Sequence, residues 1–131
     1  MGGWGTGSFE NDDAADWVGE LGTISPKDLN QILAQAADSP DYLEAPAASV
    51  AVAAAEAVAA LAGSPADAAP KEILDWTKKN PAALTPELKA LASRALDRIR
   101  HNSELKDLWL QAEGLNDWTA AIQELQTRLA G

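Results

Sequence analysis

The chain has no cysteine among its 131 residues and a single histidine, His101. The first absence excludes disulfides, zinc–thiolate sites and thiol catalysis, and makes a reducing compartment, the cytoplasm, the expected home. The second leaves no imidazole pair. Neither Gly-x-Ser-x-Gly nor His-Glu-x-x-His occurs, so conventional nucleophilic or zinc catalysis has no parts to assemble. His101 itself falls at the end of a helical segment, where positive charge is welcome.

Basic residues are scarce on one side only. Residues 1–70 carry eleven acids and one base, Lys27, whereas residues 71–131 carry nine of each. All of the net charge of −10 therefore lies on the first half. Phosphate contacts need lysine and arginine, which argues against nucleic acid as a partner. A basic protein partner or a cation fits, with a solvated, solubilising face as the plain alternative.

No basic stretch followed by an apolar run opens the chain, so no secretory signal is expected. Gly2 and Thr6 match a myristoylation pattern formally, but no polybasic second signal accompanies them, and the Pro, Gly and Ala usage points to a high-GC bacterium. The longest apolar stretch, Ala45 to Ala62, has about the length of a bilayer span. It is mostly alanine with Glu56 inside, so it reads as a core helix and no membrane partner is expected.

What is present is helix punctuation. Asn11 caps a segment holding Asp12 and Asp13 in its first turn and running through Trp17, Val18 and Leu21 to Gly22. Ser25-Pro26-Lys27-Asp28 opens a second, with Leu29, Ile32, Leu33 and Ala36 as its apolar stripe. The third, from Pro46 to about Ala62, is apolar all round and is expected at the centre. A connector at 64–70 is expected on the surface. A fourth helix spans Pro70 to Lys79 with Ile73, Leu74 and Trp76, and Asn80-Pro81 ends it. Thr85 opens a fifth with Leu88, Leu91, Ala92, Ala95, Leu96 and Ile99. Ser103 caps a sixth, Glu104 to Glu113, with Leu105, Leu108 and Trp109 inward and Gly114 as its stop. Asn116 caps a seventh with Trp118, Ile122, Leu125 and Leu129. The expected fold is one all-α domain over 1–131: six to seven helices in a compact array around the Ala-rich helix, with an extended Gly-rich segment at 1–10.

That leader, Gly2-Gly3-Trp4-Gly5-Thr6-Gly7-Ser8-Phe9, lacks the preceding strand of a dinucleotide loop, so no nucleotide or other cofactor is expected. It reads as a cover over the bundle, with Trp4 and Phe9 as apolar anchors. Glu56 is the sharpest single residue, because a carboxylate inside an alanine helix is costly unless several donors meet it. Arg94, Arg98, Arg100, the indole N–H groups and the glycine-segment amides are the candidate donors, and Glu56 would fasten the leader or a neighbouring helix. Asp12, Asp13, Asp16 and Glu20, with Glu44, are candidates for a divalent cation. Their spacing is not that of an EF-hand, and helix-dipole stabilisation already explains acids in a first turn.

The segment Trp4-Gly5-x-Gly7-x-Phe9-x-Asn11-Asp12-x-Ala14-x-Asp16-Trp17 resembles the opening signature of a bacterial family known as domain of unknown function 4259. The likeness continues through Tyr42-Leu43-Glu44-Ala45-Pro46, the stretch around Glu56, and Ser103-Glu104-Leu105-Lys106-Asp107-Leu108-Trp109. The resemblance nominates Trp4, Gly5, Gly7, Phe9, Asn11, Asp12, Trp17, Glu44 and Glu56 as signature positions and assigns them no role. Three function classes follow for the chain. The favoured one is a small acidic cytoplasmic interaction module, immunity- or antitoxin-like, that meets a basic protein. The others are a metal or small-ligand binder using carboxylates near the leader, and an enzyme built on paired carboxylates with separated pKa values.

Overall fold

A computed structural model describes residues 7–130. They form seven α-helices: α1 (Asp12–Gly19), α2 (Pro26–Asp38), α3 (Ala45–Leu61), α4 (Lys71–Lys79), α5 (Pro86–His101), α6 (Glu104–Gln111) and α7 (Leu115–Ala130). Short 3-10 turns lie at Leu21–Thr23 and Pro81–Ala83, and no strand occurs among the described residues. The fold is all-α, as the punctuation implies. Asn11, Ser25, Thr85 and Ser103 each accept a backbone N–H from the first turn of the helix they precede, satisfying donors that a bare helix start leaves open.

The Ala-rich helix is the hub. α3 packs against each of the other six helices, and every residue from Ala51 to Ala59 is buried. Alanine has the best helix propensity and no side chain beyond Cβ, so neighbouring backbones approach closely without loss of helix stability. Its amino end is capped from outside, since Ala45 N–H donates to Glu104 Oε1 at 2.7 Å. Its carboxyl end closes on Gly63 at φ +88, with Ser64 N bonding Ala59 O at 2.9 Å and Gly63 N bonding Ala60 O at 3.1 Å. That pattern needs a left-handed residue, which glycine adopts without a Cβ penalty.

Four local expectations are corrected. α1 stops at Gly19 rather than Gly22, because Glu20 N–H turns to the Trp17 carbonyl at 3.0 Å and the chain tightens into the 3-10 turn that still buries Leu21. Two poor helix formers, Gly19 and Gly22, make that tightening cheap. α6 ends at Gln111, and α7 begins at Leu115 with Trp118 N–H on the Gly114 carbonyl at 3.0 Å, so Asn116 lies in the first turn and is not its cap. Leu108 faces out rather than in, leaving Leu105 as the buried residue of α6 and Trp109 half-buried against the core. Leu74 on α4 is exposed as well.

The α6–α7 corner carries strain. Glu113 has φ +62, a conformation that costs a side-chain-bearing residue free energy, while a Cβ on Gly114 would lie 2.6 Å from the Trp109 ring. Glycine sits where the ring demands it and glutamate sits where glycine belongs. Glu113→Gly is therefore expected to raise the unfolding free energy by about 0.5–1 kcal/mol, read as a higher denaturant midpoint. A midpoint that falls would contradict the assignment of strain.

Candidate functional site

Glu56, at 4% exposure the one buried carboxylate of α3, gathers the polar cluster of the interior. Arg128 grips it bidentately, Nη1 to Oε1 at 2.9 Å and Nη2 to Oε2 at 3.0 Å, and Ser8 Oγ donates to Oε2 at 2.6 Å. Arg128 Nε also reaches Glu124, and Nη1 reaches the Ser64 carbonyl at 3.2 Å. Local chemistry positions each partner. Glu124 and Arg128 stand four residues apart on α7 and meet on one face. Ser64 follows the left-handed Gly63 that closes α3. Ser8 belongs to a turn in which Glu10 N–H bonds the Gly7 carbonyl at 3.2 Å.

Burial alone would disfavour every charge here, yet each is answered. Donation of its N–H groups to Glu56, assisted by Glu124, holds the Arg128 guanidinium far above the ordinary arginine pKa. Both carboxylate oxygens of Glu56 are committed to donors. What the arrangement can do is hold. One charge-assisted knot joins the leader, the hub helix, the connector after it and the last helix.

The donors are not those the sequence nominates. Arg94 pairs with Asp38 at 3.1 Å, Arg100 with Asp97 at 3.1 Å, and Arg98 donates to backbone carbonyls, so no α5 arginine reaches Glu56. The signal that points to Arg128 is slight: it is the only base after Lys106 and has an acid one turn before it.

Of the nominated positions, Trp4 and Gly5 lie outside the described residues, so the anchoring role expected for Trp4 does too. Gly7 and Phe9 flank Ser8, and Phe9 is half-buried against the core. Asn11 Oδ1 accepts Ala14 N–H at 2.9 Å, and Asp12 is exposed in that same first turn. Trp17 is buried, its indole N–H without an acceptor among the described residues. Glu44 is exposed before the opposite end of α3, about 18 Å of helix from Glu56. Among the described residues no three Asp, Glu or His side chains are placed to hold a metal ion. Asp12, Asp13, Asp16, Glu20 and Glu44 thus do not converge as a ligand set.

The model of one protein family matches residues 2–121, nearly the whole chain. The chain belongs to Domain of unknown function (DUF4259). No curated protein and no solved structure matches it.

This DUF4259 chain has a second cluster, beside the nominated Glu44. Between α2 and α3 the Tyr42 hydroxyl donates to Asp107 of α6, and Glu104 N–H donates to the Leu43 carbonyl at 2.8 Å. The hydrogen bond to Asp107 first, then partial desolvation and the nearby Asp107 and Glu104 charges, push the Tyr42 hydroxyl up to about 12. A raised pKa means the bond is fully present below the ordinary value near 10 and is lost as pH rises through about 12. Tyr42 is the only tyrosine, so phenolate absorbance at alkaline pH reports it alone. The midpoint is expected near 12, and near 10 in Asp107→Asn. A wild-type midpoint near 10 under conditions where the helices persist would refute the bond.

Proposed function

We propose that the chain is a small cytoplasmic interaction module, immunity- or antitoxin-like, whose acidic first half meets a basic protein partner. The observation that carries this reading is unanswered charge. Glu56 is the one buried acid of the first half, and of the exposed or half-exposed ones among the described residues only Asp38 has an ion-pair partner. On α1, Asp12 and Asp16 recur at a spacing of four, and Glu20 follows at the same spacing at the helix's negative end, with no base in its last turn. Like charges at that spacing cost about 0.2–0.5 kcal/mol per pair, and an acid at a helix C-terminus opposes the dipole. A fold that keeps such charge outward, unneutralised, gains most from a partner that brings lysine and arginine, and the same field speeds encounter.

The test is affinity capture from extract of the source cells at about 0.05 M and about 0.5 M salt, which bracket strong and weak screening. A basic protein retained at low salt and released at high salt, and lost by Asp12→Asn/Asp16→Asn/Glu20→Gln together with Asp41→Asn/Glu44→Gln, is expected. Capture that ignores salt and those substitutions would remove the basis for the reading.

A further inference from the structure

The exposed large apolar side chains of the described residues are Tyr42, Leu74, Leu108 and Leu110. Two of them share one face. Tyr42 touches Asp107 on α6, and Leu110 lies one turn on, on the Asp107 face, whereas Leu108, two residues from Leu110, points to another side of the helix. Tyr42 is 53% exposed and Leu110 57%, so both present apolar area to solvent. Acids surround them: Asp41 and Glu44 are exposed beside Tyr42, and Glu104 and Asp107 are half-exposed on α6. The nearby bases are turned aside. Lys106 Nζ caps the His101 carbonyl at 3.2 Å, and Arg98 lies beneath the loop, donating to the Ser39 and Asp41 carbonyls at 2.8 and 2.7 Å.

Those contacts also fix the surface in place. The 39–45 loop is tied by Arg98 from α5, by Glu104 N–H on Leu43 O, by Ala45 N–H on Glu104 Oε1, and by Tyr42 on Asp107. Holding an aromatic side chain at the surface costs entropy, and a partner that finds it already ordered does not have to supply that cost. An ordered tyrosine beside an exposed leucine, rimmed by acids, has the composition of an interface hot spot.

We propose that the Tyr42–Leu110 surface is the docking site for a basic amphipathic helix of a protein partner, apolar residues on the tyrosine and leucine, lysine and arginine on Asp41, Glu44, Glu104 and Asp107. The charge complementarity selects the occupant: a second copy of this acidic chain would set like charges against each other. The proposal rests on the basic-partner reading above and adds where that partner sits.

The probe is a peptide of about 14 residues with leucines at i, i+3, i+4 and i+7 and lysines elsewhere, titrated into the full chain and followed by amide chemical shifts. The expected result is salt-sensitive binding with the largest shifts at residues 41–44 and 104–111. Tyr42→Ala/Leu110→Ser should weaken it by at least about tenfold with an unchanged helical spectrum, and the same peptide with glutamate for lysine should not bind. Shifts concentrated on α1 instead would overturn the docking site while leaving the basic-partner reading standing. Shifts at the proposed surface that survive the double substitution would also overturn it. No binding at all would count against both.

Discussion

Replacing Arg128 by alanine is expected to lower the unfolding free energy by about 3–5 kcal/mol, the cost of leaving a buried charge without its counterpart. The charge left behind would be Glu56, whose side chain is 4% exposed and whose remaining donor would be the Ser8 hydroxyl. Glu56→Ala should cost less, about 1.5–3 kcal/mol, because Arg128 is 17% exposed and keeps Glu124 and the Ser64 carbonyl. The order of the two effects distinguishes a buried-charge account from simple contact counting, which would make them equal. Replacing the pair together by Glu56→Leu and Arg128→Met should be milder than Arg128→Ala alone, since two well-packed apolar groups leave nothing uncompensated. Urea midpoints of the four proteins settle the order. An Arg128→Ala variant as stable as the parent would show that the knot contributes nothing.

Ala54→Leu is the second large effect, with an expected loss of about 1–3 kcal/mol from overpacking. Ala54 has no exposed surface and sits mid-way along the helix that every other helix touches. Close approach of neighbouring backbones is the reason for alanine there, so added methylenes have nowhere to go without moving a helix. The same substitution at Ala47, exposed in the first turn of α3, should change stability by no more than about 0.5 kcal/mol. Equal effects at the two positions would mean that α3 is not packed as described.

How much of this the sequence disclosed follows the range of the forces involved. Helix starts were legible because a cap is a local event: Asn11, Ser25, Thr85 and Ser103 all act on N–H groups within three residues of themselves. The central place of α3 was legible because a helix without a polar face must be enclosed. That Glu56 needs donors was equally plain from burial. Which donors was not, because Ser8 and Arg128 lie 48 and 72 residues away and only packing decides that α7 rather than α5 passes the carboxylate. The outward turn of Leu108 was hidden for a related reason. α6 is eight residues long, two turns in which several leucines compete for one buried face, and nothing in the spacing says which one wins. Glu113, a residue with no sequence mark of a left-handed conformation, was illegible altogether.

The hub position of α3 can be measured directly by native-state hydrogen exchange. If this helix is the element that all others enclose, the amides of Ala51 to Val58 can exchange only when the whole chain unfolds. Their exchange free energies should equal the global unfolding free energy and fall in step with it in Ala54→Leu. Exchange from those amides through a cheaper local opening, with α5 or α7 the better protected, would contradict the account.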